Sequence, residues 1–317
     1  MRSVVIEEPR RTAVHEVAVP RPARGQLRVK VQGCGVCGSN LPVWEGKPWF
    51  SYPFAPGAPG HEGWGTVDAI GEGVEGFEHG MNVAFLSYNA FAEYDVVDSR
   101  AAIRLPAWLN GSPFPGEPLG CAMNVFERSA IESGQTVAVV GIGFLGALLV
   151  RLARWKGARV VAVSRRAYAL EIARQMGAGE AFAMTRTDDT VAHVKELTDG
   201  KGCECVIEAT GKQQALDLAG DLVGERGRLV VAGYHQEGLR RVNMQKWNWQ
   251  GIDVINAHER APERYMRGMR AAVAAMEQGA LDPTPLYTHR FTLDILDEAF
   301  EHMSTRPHGF MKGLLAL

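Results

Sequence analysis

Short apolar stretches that alternate with polar residues or carry β-branched side chains, broken by glycine and proline turns, fill the first third of the chain. This pattern predicts strands over residues 3–7, 26–33, 65–70, 83–85 and 91–97, an all-β region. From about Thr136 the rhythm changes to strand–helix alternation. Strands are predicted at 137–140, 160–163, 181–183, 205–208, 229–232 and 254–256, with helices between most of them, among them 168–176 and 190–197. Six strands in such alternation specify an open, doubly wound parallel sheet of the α/β class. A long amphipathic helix over about 262–278 follows, then a strand at 287–291, a helix near 293–303 and a short closing strand. The α/β module is therefore inserted near the middle, and the C-terminal tail is expected to return to the first region.

The chain has 317 residues, 46% hydrophobic and 22% charged, which is ordinary for a globular protein of two domains. A formal charge of −2 supplies no basic field and disfavours nucleic acid as a partner. No apolar run reaches membrane-spanning length and the N-terminus lacks a signal-peptide pattern, so the expectation is a cytoplasmic protein with no membrane partner. Five cysteines, an odd number, argue against a disulfide framework.

Chemistry enters at two places. The first is Gly141-Ile142-Gly143-Phe144-Leu145-Gly146, directly after the apolar run Thr136–Val140 and before the helical pattern of Leu148, Leu149 and Leu152. A G-x-G-x-x-G turn in that setting brings the backbone N–H groups of Phe144 and Leu145 and a helix N-terminus up to a pyrophosphate. Gly141, Gly143, Phe144, Leu145 and Gly146 are thus cofactor-binding candidates. The second is the pair Gly33–Asn40, holding Cys34 and Cys37, and Pro59-Gly60-His61-Glu62-Gly63. Thiol, imidazole and carboxylate are donors that zinc selects, and a catalytic zinc takes three of them and leaves one position open.

Taken together these segments resemble the zinc-dependent medium-chain dehydrogenases, the superfamily of alcohol, polyol and threonine dehydrogenases. The resemblance rests on Gly35-Val36-Cys37-Gly38-Ser39, Gly60-His61-Glu62, Phe91-Ala92-Glu93-Tyr94, Glu117-Pro118-Leu119, the 141–146 turn and Glu208-Ala209-Thr210-Gly211, in that order. It implies a GroES-like β domain (1–118, completed by about 258–317) and a Rossmann domain (119–257), with the active site in the cleft between them. It further implies one catalytic zinc on Cys37, His61 and Glu62. Glu117, 24 residues before Gly141, is the further acidic ligand, with Cys121 as the alternative. Ser39 and Glu62 are the catalytic candidates, Ser39 as the hydroxyl that moves the substrate proton. Thr210 and Gly211 lie by the nicotinamide, and the expected partner is a small alcohol or carbonyl substrate. A homodimer or homotetramer is implied, paired through the sheet edge near Val254.

The chain departs from that family pattern in instructive ways. Asn40 stands where an aspartate usually orients the zinc-binding histidine, and the usual relay histidine is absent near Pro42. The link from Phe85 to Phe91 is too short for the lobe that binds a second, structural zinc in many relatives. At the end of the second α/β strand, where an NAD enzyme places Asp or Glu, the chain has Ser164 followed by Arg165 and Arg166. A serine and two guanidiniums suit a 2′-phosphate, so NADP is preferred to NAD. Trp44, Trp49, Phe50 and Tyr52 read equally as pocket or core. Lys312 reads as a solvent-facing lysine, with a pyrophosphate contact as the alternative. Two other readings stand beside the dehydrogenase: a zinc-free quinone or enoyl reductase of the same superfamily, and a non-catalytic NADPH-binding protein.

Overall fold

A computed structural model describes residues 1–184 and 187–317. The N-terminal region carries β1 (Arg2–Glu8), β2 (Arg11–Glu16), β3 (Gln26–Gly35), the single-turn helix α1 (Leu41–Trp44), β4 (Gly63–Ile70), β5 (Asn82–Phe85), β6 (Tyr94–Asp98) and β7 (Ala102–Arg104). After α2 (Gly116–Ser129) come β8 (Thr136–Val140), α3 (Phe144–Trp155), β9 (Arg159–Ser164), α4 (Ala167–Gln175), β10 (Glu180–Ala183), α5 (Thr187–Leu197), β11 (Cys203–Glu208), α6 (Gln213–Leu222), β12 (Val223–Val231), α7 (Met244–Gln250) and β13 (Asp253–Asn256). The chain closes with α8 (Pro262–Glu277), β14 (Tyr287–Phe291), α9 (Leu296–Thr305) and β15 (Lys312–Ala316).

Two compact units result, one of residues 1–120, 261–273 and 283–317, the other of 121–260 and 274–282. In the first unit β14, β15, β3, β4, β5 and β7 form one sheet, with β6 also paired to β3. The tail strands thus rejoin the N-terminal sheet, β15 lying antiparallel to β3. Strand β3 alternates buried and less buried residues along most of its length, so one face enters the core that Phe85, Phe91, Phe300 and Phe310 fill. Register matters most between β3 and β4, where Cys34 lies opposite Gly63. That pairing brings Cys37, just past the end of β3, and His61-Glu62, just before β4, to the same end of one strand pair.

The second unit is a parallel sheet in the order β10-β9-β8-β11-β12-β13. Every residue of β8 is buried, as a central strand covered on both faces requires. The order reverses direction at β8, which places a topological switch point at its C-terminal end. The core here joins Ala138, Val140, Val161, Val163, Val206 and Leu229 from the sheet to Leu216, Leu218 and Leu222 of α6. No helix among the described residues is long and apolar enough to cross a membrane.

The sequence pattern omitted β2, β7 and α2. The polar composition of β2 hides its pairing with β1, and β7 has only three residues. Residues 91–93, expected as the start of a strand, lie ahead of β6, with Ala92 contributing only an isolated bridge to Ser3.

Candidate active site

Among the described residues one group of metal-capable side chains converges: Cys37, His61 and Glu62, whose ligand atoms all lie within 4.8 Å of one another. Each is placed by the local backbone. Cys37 leads into a single 3₁₀ turn, Gly38–Asn40, and its N–H donates to Asn40 Oδ1 at 3.1 Å. Glu62 sits directly before β4 and folds its carboxylate over Gly35, where a Cβ would lie 1.7 Å from Oε2. Only glycine leaves room there for the acid.

The His61 tautomer follows from its neighbours. Nδ1 lies 2.9 Å from the Pro59 carbonyl, which can only accept, so Nδ1 carries a hydrogen and donates. Nε2 is left on the side of Ser39, whose Oγ lies 3.4 Å away. The Asn40 side chain does not orient the imidazole as an acceptor. Its Oδ1 is taken by Cys37, and its Nδ2 donates to the same Pro59 carbonyl at 3.0 Å. Pro59 therefore does the orienting that the missing aspartate would have done. Burial pushes the imidazole down, but the hydrogen bond and negative charge of Cys37, with Glu117 and Glu62, prevail and raise His61 to about 10.

Glu62 is fully buried, and its Oε2 lies 2.5 Å from Lys312 Nζ, also buried. Lys312 was expected to face solvent; it does not. Its ammonium also donates to the Val36 carbonyl at 3.1 Å. Burial disfavours the charge, yet Glu62, Cys37 and Glu117 together keep the lysine raised. Neither Glu62 oxygen has a partner that meets hydrogen-bond geometry, but Oε2 faces the Lys312 ammonium whereas Oε1 is buried with no cation or donor among the described residues beside it. A buried carboxylate oxygen left unbonded costs free energy unless a cation or donor meets it. The donor set and this orphan oxygen fit a divalent metal of the zinc type. A signal for Lys312 existed in the sequence: it is the sole charge in the apolar run Phe310–Leu317.

Glu117 lies in the first turn of α2 and is half-buried. Its ligand atoms are outside the 4.8 Å group, yet its charge reaches both His61 and Lys312. Cys121, one helical turn further on, falls in the second unit. Of the candidate aromatics, Trp44 is core: it is 3% exposed, packs on Phe300 and donates from Nε1 to Asp297 at 2.8 Å. Phe50 and Tyr52 also rest against that core, while Trp49 is exposed. A residue that the sequence did not single out, Tyr88, stacks on His61 with ring centroids 6.3 Å apart and planes at 19°. It sits on the short link between Phe85 and Phe91.

In the second unit the glycine turn has three different demands. Gly141 has φ of 104°, and a Cβ there would lie 2.3 Å from Thr210 Cγ2. At Gly146 a Cβ would lie 2.0 Å from the Gly141 carbonyl oxygen, so this glycine lets α3 pack on β8. Gly143 caps α3, and nothing lies within 4 Å of the place its Cβ would take. That open cradle sits at a helix N-terminus flanked by Phe144 and Leu145, a suitable place for an anion. Ser164, at the end of β9, is buried, with its Oγ 3.4 Å from the Arg166 N–H. Arg165 is exposed, and Arg166 Nη2 donates to the Ile142 carbonyl at 3.2 Å. Thr210 and Gly211 follow β11 and direct their N–H groups to Glu208.

Residues 23–107 match the alcohol dehydrogenase GroES-like domain family, and residues 145–274 match the zinc-binding dehydrogenase family. Sorbitol dehydrogenase of Halalkalibacterium halodurans is 28% identical to the chain over 321 residues, covering 91% of each. L-threonine 3-dehydrogenase of Pyrococcus abyssi is 27% identical over 325 residues, covering 91% of this chain and 90% of its own. The fold is shared with an Escherichia coli alcohol dehydrogenase solved with NADH, at a TM-score of 0.88 and 24% identity, over 100% of this chain and 99% of that one.

Proposed function

Since the chain is a member of the zinc-dependent medium-chain dehydrogenase superfamily, an oxidoreductase of the alcohol and polyol dehydrogenase type, we propose that it interconverts a small alcohol or polyol and its carbonyl, with one zinc ion on Cys37, His61 and Glu62 and with NADP(H) preferred to NAD(H). The observation that carries this reading is the convergence of those ligand atoms within 4.8 Å. The orphan Glu62 Oε1 supports it. Zinc held there supplies Lewis-acid polarisation of an alcohol or carbonyl oxygen, and the nicotinamide supplies the hydride chemistry.

The chain's own residues do the rest. Pro59 fixes the imidazole so that Nε2 is the ligating atom, and Asn40 pins the backbone of Cys37. Lys312 offsets part of the negative charge of the donor set. Ser39 Oγ accepts the substrate hydroxyl proton and passes its own onward to solvent, because no histidine follows it near Pro42. Glu117 is the further carboxylate beside the site. In the glycine turn Gly143, Phe144 and Leu145 take the pyrophosphate while Gly141 and Gly146 shape the turn around it, and Ser164 with Arg165 and Arg166 takes the adenosine ribose end. The absence of a carboxylate at the end of β9 supports NADP(H).

The test is a spectrophotometric panel of alcohols, polyols and their carbonyls with both cofactors, on protein of measured zinc content. Turnover with at least one substrate, faster with NADP(H) and lost on chelation, is expected. Silence with every substrate at full zinc occupancy overturns the reading in favour of a non-catalytic nucleotide-binding protein. Activity that persists below about a tenth of an equivalent of zinc, a rough threshold for a tight site, overturns it in favour of a zinc-free reductase.

A further inference from the structure

The carboxylate of Glu208 ends β11 with no exposure to solvent. Its Oε1 accepts from the Thr210 N–H at 2.7 Å, the Thr210 hydroxyl at 2.5 Å and the Gly211 N–H at 2.9 Å. Its Oε2 lies 3.0 Å from His235 Nε2. On the other side of the imidazole, Arg240 Nε donates to Nδ1 at 2.9 Å. An arginine only donates, so Nδ1 carries no hydrogen and Nε2 carries one, making His235 a neutral donor to the acid. Arg240 Nη2 then reaches the Gly211 carbonyl at 3.0 Å. The bonds close a ring: Glu208 to Gly211, Gly211 to Arg240, Arg240 to His235, His235 back to Glu208.

Two glycines let the ring close. Gly211 has φ of 71°, and a Cβ there would lie 2.3 Å from the Tyr234 carbonyl oxygen. A Cβ on Gly233 would lie 2.7 Å from Glu208 Oε2 and 2.1 Å from the Gly211 nitrogen. The ring takes up the N–H groups of Thr210 and Gly211, the Thr210 hydroxyl and the Gly211 carbonyl. Thr210's hydroxyl donates to Glu208 and accepts from the Lys212 N–H at 3.0 Å, so what Thr210 turns toward Gly141 is its methyl group. With these groups held inside the protein, the position and shape of the turn that follows β11 are set by the ring.

Its place in the sheet gives that shape a role. The strand order puts β9, with Ser164, on one side of β8 and β11 on the other. A dinucleotide whose pyrophosphate lies at the β8 turn and whose adenosine lies at β9 extends its other half over β11. We propose that Glu208, His235 and Arg240 form a buckle that positions the Thr210–Gly211 turn as the wall for the nicotinamide half of the cofactor, with His235 as the coupling member. This inference rests on the reading of the second unit as a nicotinamide dinucleotide site. None of the three side chains needs to touch the cofactor; they are positioning residues.

The test compares affinities of NADPH, NADH and 2′,5′-ADP, which lacks the nicotinamide half, for wild type and the variants His235→Phe, His235→Gln and Arg240→Met, with thermal melts recorded for each. His235→Phe cuts both ring bonds, and loss of a charge-assisted pair there is expected to weaken the better reduced cofactor about tenfold while 2′,5′-ADP changes less than about twofold. His235→Gln can donate to Glu208 and accept from Arg240, so it is expected to bind within about threefold of wild type. Arg240→Met supplies the same test should His235→Phe fail to fold. Equal losses for all ligands, or none for any, overturn the buckle. A wild-type protein that binds none of the three ligands overturns the nucleotide reading itself.

Discussion

The ion pair of Lys312 with Glu62 brings two side chains from opposite ends of the chain into the same buried spot. Removing one partner strands the other, and a buried unpaired charge costs about 3–5 kcal/mol. Lys312→Met is expected to lower stability by about that amount in denaturant melts, and Lys312→Met with Glu62→Leu to recover most of it, since an apolar replacement of both partners is often nearly neutral. The double variant should not regain zinc, because it lacks the carboxylate. His61 makes a second residue-scale expectation. Its folded value of about 10 lies above the ordinary 6.5, so its contribution to the metal-free protein is complete below 6.5 and is lost as pH rises toward 10. Melts of chelated protein across that range should show stability falling, and zinc loading should flatten the slope. The donor types that converge here were legible in the sequence, because a thiol, an imidazole and a carboxylate in glycine-rich turns suit one metal. The partner of Lys312 was not, although its place in an apolar run hinted at burial, because that partner is set by the pairing of β15 with β3, which no local pattern records.

At the level of elements, the three glycines of the turn separate fold from function. Gly143→Ala meets nothing within 4 Å and has an extended backbone that alanine adopts, so stability should change by less than about 1 kcal/mol. Its methyl group, however, occupies the cradle, and cofactor affinity should fall by about tenfold or more. Gly146→Ala instead drives a Cβ to 2.0 Å from the Gly141 carbonyl and should destabilise the protein by about 1–3 kcal/mol. Melts and cofactor titrations on the two variants check the contrast; a Gly143→Ala protein that binds normally would remove the anion from this turn. The strand–turn–helix unit was legible because its apolar run, glycine spacing and helical periodicity agree. Helix α2 was not. Its first turn carries Gly116 and Pro118 and its second Gly120, residues of poor helical propensity. Tertiary packing explains the glycines: Cβ atoms at Gly116 and Gly120 would lie 2.4 Å and 3.0 Å from Met269 side-chain atoms.

For the whole molecule, the sequence separated a β-rich unit from an α/β unit and returned the tail to the first, since the change from strand runs to alternation is visible over long stretches. Interfaces are less legible, because an edge strand looks like any other. Strand β13 ends its sheet, with Val254 exposed at 42%. An apolar edge of this kind invites pairing with a second copy. Pairing through this edge is what the family resemblance implies, and we propose it here: Val254→Lys is expected to shift the protein to monomer in light scattering, with an unchanged assembly as the contrary result. Of the five cysteines, Cys34, Cys203 and Cys205 are buried, and burial raises the latter two to about 12. Such thiols are poor metal ligands, which leaves Cys37 and Cys121, and of these Cys37 is the one in the converging donor group.

That assignment makes X-ray absorption at the zinc edge the most direct measurement. The expected spectrum of the zinc-loaded protein has one sulfur at about 2.3 Å with nitrogen and oxygen at about 2.0–2.2 Å, and Cys37→Ser removes the sulfur shell. A sulfur-rich shell, or a sulfur that survives the loss of Cys37, would contradict the account at its centre.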